Sequence, residues 1–273
     1  MLAEIQAKMA TIVGDIWTSK NMVGLWPYPL VAYGPYRTRT RGNDYRLFSS
    51  LLLPGDILLT TQDKYKGSNS AIPGTFKHLM VYTGTVFGHY NGESIVDPLS
   101  YGVSYKVDTD EYFPNRFRRT ITHAESEGVK TQDLLDVFSH YDELVVIRPW
   151  TTALQQEAIV KTALGNVGKK YDFIFNSDCD ESLYCTELGT ISLKAAGIEI
   201  PDPVMKMTKI WKPWKKDRVY VADFFVEKYP VVCKTMSCNT PSFYKGPLSK
   251  VLRQKLSSCI DATKSSRDFQ WVK

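Results

Sequence analysis

The sequence predicts an α+β domain, a small antiparallel sheet packed on helices. Three observations predict it. Short apolar runs at 57–61, 78–83, 94–97 and 143–149 are bounded by Gly, Pro and Asp turns and read as strands. Two longer segments, from Thr152 and from Cys185, carry helical start and stop signals. The chain of 273 residues is 43% hydrophobic and 23% charged, ordinary globular composition with enough apolar side chains for a full core.

Residues 1–48 read as an N-terminal extension. Leu2, Ile5, Met9 and Ile12 suit a short amphipathic helix. Pro27, Pro29 and Pro35 then forbid a long helix, and an irregular arm is expected. The main domain is expected over 49–228. It opens with the turn Pro54-Gly55-Asp56 and the strand Ile57 to Thr61, followed by a polar loop from Gln62 to Gly74. From His78 to Thr83, Leu79 and Val81 alternate with His78, Met80 and Tyr82, a strand with two distinct faces. A turn over Gly84–Gly92 leads to a third strand, Ser94 to Asp97, and Glu143 to Pro149 is a fourth.

Thr152 with Gln155 three residues on fits a capping box, and that helix ends near Gly165 or Gly168. In the second helix, Cys185 to Ala196, Leu188, Ile191 and Ala195 share a face and Gly197 is the stop. Residues 229–273 read as a C-terminal extension with one amphipathic helix, Leu248 to Ile260, lined by Val251, Leu252, Leu256 and Cys259.

The formal charge is +5, from 34 basic and 29 acidic residues, too mild to argue for nucleic acid. Basic residues cluster at Arg37, Arg39, Arg41 and Arg46, and again from Lys206 to Arg218. The second cluster contains Trp211 and Trp214; a packed loop with solvated lysines explains it, and contact with an anionic surface is the functional alternative. No stretch has the apolar length of a membrane span, and Glu4, Lys8 and Asp15 spoil a signal peptide, so a cytoplasmic location is the default expectation. Five cysteines, with no CxxC pair, imply neither a disulfide framework nor structural zinc. Cys233 and Cys238 are able to pair if the protein leaves the cell.

Cys185 stands at a helix start. Free N–H groups and the partial positive charge there lower a thiol pKa and can hold an oxyanion. His78 opens a strand after a loop, and a thiol with an imidazole is the Cys–His arrangement of papain-like enzymes. Asp97, on the neighbouring predicted strand, is the candidate to orient the imidazole; its alternative reading is a turn carboxylate before Pro98. His89, His123 and His140 fall in segments read as turns or loops and receive structural readings. An acidic loop, Asp178, Asp180 and Glu181, lacks the spacing of a calcium loop.

Three blocks resemble the permuted branch of the NlpC-type papain-like superfamily, in particular the YiiX/YebB-like proteins. The first is Pro54-Gly55-Asp56-Ile57-Leu58 with Lys77-His78-Leu79-Met80-Val81-Tyr82. The second is Ser94-Ile95-Val96-Asp97-Pro98 with Gly102-Val103, where the family usually has Glu rather than Asp97. The third, and most specific, pairs Gly168-Lys169-Lys170-Tyr171-Asp172-Phe173 with Tyr184-Cys185-Thr186-Glu187-Leu188. The resemblance runs from about Pro54 to Asp223, and His78 precedes Cys185 as the permuted branch requires.

The resemblance implies a circularly permuted papain-like fold and a cysteine hydrolase that cleaves amide bonds through an acyl-enzyme. Cys185 is then the nucleophile, His78 the base and Asp97 its orienter, with Tyr171, Tyr184 and Glu187 in supporting roles. No cofactor or metal is expected. Expected substrates are peptide, cell-wall or acylated molecules, without nucleic acid. A lipid acyltransferase or deacylase on the same fold, or an inactive binding protein, are the alternatives.

Overall fold

The computed structural model describes residues 38–61, 74–88, 94–96, 117–173, 181–200, 205–209, 212–239 and 250–265. The chain runs α1 (Gly42–Leu51), β1 (Ile57–Thr61), β2 (His78–Gly88), β3 (Ser94–Val96), β4 (Phe117–Glu125), β5 (Gly128–Asp133), α2 (Leu134–His140) and β6 (Glu143–Ile147). It continues through α3 (Ala153–Gly165), β7 (Lys170–Tyr171), β8 (Ser182–Leu183), α4 (Cys185–Ala195), the hairpin β9 (Met205–Lys209) and β10 (Lys212–Val219), α5 (Ala222–Lys228), β11 (Val231–Lys234), a 3₁₀ turn (Met236–Asn239) and α6 (Lys250–Ser265).

Strand order in the main sheet is β11-β6-β1-β2-β4-β5, antiparallel throughout, with β3 added to the far end of β2. Central strands bury both faces. Ile57, Leu59, Leu79, Val81, Val145 and Ile147 face one core, closed by Ile159 and Ala163 of α3, Leu193 of α4 and Phe225 of α5. Leu58, Met80, Tyr82, Leu144 and Val146 face the other, closed by Phe48 of α1 and Leu134, Val137 and Phe138 of α2. Each fully buried Leu or Ile contributes about 2 kcal/mol, so the sheet is held as the filling of two layers. Among the described helices none is long and apolar enough to cross a membrane.

The first and last of the described helices both join this architecture. The Asp44 carboxylate accepts the Arg41 N–H at 2.8 Å and the Met236 N–H at 2.7 Å, tying α1 to the segment after β11. Leu252 and Leu256 of α6 enter the first core. Cys233 and Cys238 are buried free thiols, not a disulfide. The first predicted helix, at Leu2–Ile12, lies outside the described residues, as do Trp211 and most of the acidic loop.

Asp56, in the turn before β1, is fully buried and accepts Arg148 Nε at 2.7 Å, Arg148 Nη2 at 2.8 Å and the Leu53 N–H at 2.9 Å. Asp56→Ala is therefore expected to cost about 3 kcal/mol, because Arg148 loses its buried partner. Urea unfolding monitored by circular dichroism measures this, and a loss below about 1 kcal/mol would show that the pair is not structural.

Candidate active site

The start of α4 is built by residues of the Tyr-Cys-Thr-Glu motif itself. Tyr184 is the extended N-cap, and Glu187, three residues on, accepts the Tyr184 N–H at 3.4 Å. Both side chains are buried, so in this structure they shape the helix end. Thr186 donates to the Tyr220 carbonyl at 2.8 Å, fastening the same turn to the segment before α5. Cys185 thus sits in the first turn, 5% exposed. The short parallel pair β7–β8, with Tyr171 opposite Leu183, brings Tyr171 near the thiol.

α4 lies against the beginning of β2. A Cβ on Gly189 would come within 2.5 Å of the Leu79 side chain, so glycine is what allows the helix to approach this closely. The backbone N–H groups of Leu79, Thr186 and Cys185 itself lie near the sulfur and favour its ionised form. The thiol therefore lies beside the residue that follows His78.

The entry into β2 is fixed from elsewhere. Asp223, in the first turn of α5, accepts the Thr75 N–H at 2.9 Å and the Phe76 N–H at 2.8 Å. Gly74 (φ 87°) lets the chain pass, since a Cβ there would stand 2.9 Å from the Asp223 carboxyl carbon. His78 is then held on three sides. Its Nε2 is 2.8 Å from His123 Nδ1. The Tyr141 ring stacks on the imidazole, centroids 5.7 Å apart and planes 8° from parallel. The Tyr141 hydroxyl donates to Glu125 Oε1 at 2.9 Å, and Lys130 Nζ lies 2.8 Å from Glu125 Oε2. His123 and Glu125, two residues apart on β4, share a face of the strand beside β2.

Burial dominates the electrostatics. It pushes the Cys185 thiol up to about 11, with the three backbone N–H groups opposing it. Burial, then His123, pushes His78 down to about 3, against the attraction of Glu125. His123 is lowered by burial as well. Both shifts favour the uncharged forms, a thiol and a neutral imidazole. The sequence expectation of a thiol lowered by the helix start is corrected here: the helix N–H groups are present, but removal of the sulfur from water outweighs them. Burial would raise the Glu125 carboxyl, but His123, His78 and Lys130 outweigh it and hold it below the usual carboxylate range. Burial, then Cys185, Asp172 and Glu125, keeps the Tyr171 phenol well above its ordinary value, hence protonated.

The structure therefore brings Cys185, Tyr171, Tyr184 and Glu187 to the start of α4, with His78 on the adjoining strand. Asp97 lies outside the described residues; β3, which precedes it, meets β2 at Val86–Gly88, at the opposite end of that strand from His78. His123, Glu125, Lys130 and Tyr141 were missed in sequence. His123 is the seventh residue of a nine-residue strand and not in a turn or loop. The available signal was the run Thr120-Ile121-Thr122, rich in β-branched residues, and the turn before Gly128. His78 Nε2, His123 Nδ1 and a Glu125 oxygen, all within 4.8 Å of one another, are the described residues able to hold a metal ion.

A match to the family described as permuted papain-like amidase enzymes, YaeF/YiiX, C92, spans residues 52–242. The chain belongs to that family. As a C92 protein it is an enzyme of the papain-like cysteine amidase/peptidase class, a hydrolase with the α+β permuted fold. No curated protein matches. A solved structure titled metalloprotein yiiX from Escherichia coli O157:H7, DUF1105, is similar at 15% identity and a TM-score of 0.39, covering 76% of this chain and 82% of that one.

The neutral resting pair of this C92 protein has a measurable consequence. Alkylation of Cys185 by iodoacetamide should rise about tenfold per pH unit from pH 7 to pH 10, because a thiol near 11 is almost wholly protonated below that. Mass spectrometry of the labelled peptide follows the rate. A plateau beginning near neutral pH would instead reveal a standing thiolate–imidazolium pair.

Proposed function

We propose that this hydrolase cleaves amide bonds by acyl transfer through Cys185, with His78 as base. The thiol in the first turn of α4, with backbone N–H groups near it that include that of His78's neighbour Leu79, is the observation that carries the reading. Substrate entry brings a carbonyl against these N–H groups. His78 takes the thiol proton as the sulfur attacks, and the developing oxyanion is held by backbone N–H groups near Cys185. The protonated imidazole gives that proton to the leaving amine, and the freed base activates water to release the acid.

For this the imidazole must offer a lone pair to the thiol. A hydrogen on Nε2, donated to His123 Nδ1, leaves Nδ1 with that lone pair. His123 thus acts as a positioning residue, and Tyr141 and Glu125 hold the pair in place. The desolvation of Cys185 and His78 favours general-base transfer over a preformed ion pair.

The substrates we propose are peptide, cell-wall or acylated amines. The test is hydrolysis of cell-wall peptides, N-acyl amines and small esters, each with Cys185→Ala as control. Cys185-dependent release of amine from an amide supports the proposal. Turnover confined to esters or lipids would favour the deacylase alternative, and no Cys185-dependent turnover of any carbonyl substrate would favour a binding protein.

A further inference from the structure

We propose that His78, His123 and Glu125 bind a zinc ion, and that the bound ion silences the hydrolase, a regulation that rests on His78 being its base. The three donor atoms lie within 4.8 Å of one another. Two imidazole nitrogens and a carboxylate oxygen form a donor set suited to zinc, with a fourth position left for water.

The donors stand within 4.8 Å of one another, so the Glu125 carboxylate must swing toward His78 to close the shell. Zinc–nitrogen and zinc–oxygen bonds of about 2.0–2.2 Å in a tetrahedron place ligand atoms roughly 3.3 Å apart. His78 Nε2 and His123 Nδ1 stand at 2.8 Å, and His123 Nδ1 and Glu125 Oε1 at 3.7 Å. The first gap would widen and the second close, each by about half an ångström.

The donors are also carried by rigid backbone. His123 and Glu125 share one face of β4, and the β2–β4 register, with Met80 opposite His123, brings His78 to the same end. An outer shell is already built. Tyr141 donates to Glu125 Oε1 and its ring backs His78, while Lys130 pairs with Oε2. Such partners orient a ligating carboxylate. The Lys130 charge also opposes a second cation, so binding at micromolar zinc is expected rather than a permanently held ion.

The silencing follows from the lone pairs. One hydrogen is shared between the facing nitrogens of His78 and His123. Zinc needs both lone pairs, so that hydrogen moves to the other nitrogen of the ring that carried it. A neutral His78 bound through Nε2 carries its hydrogen on Nδ1 and has no lone pair for the Cys185 proton. Cys185 itself need not be a ligand.

The experiment titrates the full chain, stripped of metal, with zinc against a chromophoric chelator. Cobalt absorption reports the ligand type, and amide hydrolysis is followed in parallel. One ion per chain at micromolar zinc is expected, with hydrolysis lost in step with occupancy. Glu125→Gln, which keeps the shape of the side chain and its Tyr141 contact, should weaken binding at least 10-fold, and His123→Ala should remove it. No stoichiometric binding below millimolar zinc, or unchanged binding in folded Glu125→Gln, would overturn the site. Hydrolysis that chelators abolish and zinc restores would overturn silencing. A chain that binds zinc through Glu125 but hydrolyses no amide, with or without metal, would keep the site and overturn silencing together with the hydrolase reading.

Discussion

Cys185→Ala is expected to lower amide hydrolysis by about 10⁴-fold or more while the protein stays folded. The nucleophile forms the covalent intermediate, so no neighbouring group replaces it. Removing one buried sulfur leaves a small cavity, and a stability loss of only about 1 kcal/mol is expected. Rates are measured on the best amide found, and unfolding is measured in parallel. Cys185→Ser is the sharper variant. It keeps the shape but replaces the thiol by a hydroxyl that His78 deprotonates less readily, so activity should fall nearly as far. Retention of a tenth of the wild-type rate in Cys185→Ala would remove Cys185 from the chemistry.

The second large effect is at His123. His123→Ala is expected to lower kcat by about 10²-fold or more with little change in KM, because it disorders the base without touching the substrate. His123→Asn can still accept from His78 Nε2 and should recover part of the loss, which a purely structural role would not grant. Asp97→Asn provides the comparison. With His123 as the positioning residue, Asp97→Asn should stay within a few-fold of wild type. The reverse ranking, Asp97→Asn costly and His123→Ala mild, would return the role to Asp97. Because His123 is fully buried, circular dichroism of each variant separates misfolding from loss of positioning.

These two experiments weigh differently on what was legible in the sequence. Cys185 was legible because its signal is local: a motif at a helix start, followed by apolar residues at helical spacing and Gly197. β1 and β6 were legible because uninterrupted apolar runs such as Ile57–Leu59 and Leu144–Ile147 declare strands buried on both faces. Thr152 was legible as a cap through its spacing to Gln155, and its hydroxyl does accept that N–H at 3.2 Å.

β4 was not legible. Its Phe-Arg-Arg-Thr-Ile-Thr-His-Ala-Glu mixes charged, polar and apolar residues, because its first half carries arginines and its second half builds a polar site. A polar cluster buried at a sheet end looks, along the chain, like a loop.

By itself, then, the sequence determined the class of the fold, the boundaries of α3 and α4 and the candidate nucleophile and base, since each depends on neighbours a few residues away. Only the tertiary structure decided which group meets His78. The β2–β4 register brings His123 beside it from 45 residues along the chain, and Tyr141 stacks on it from β6's approach. The tertiary structure also decided the charge state of the site. A helix start alone favours a thiolate, but the packing of α4 on β2 removes Cys185 from water, and desolvation outweighs the helix N–H groups.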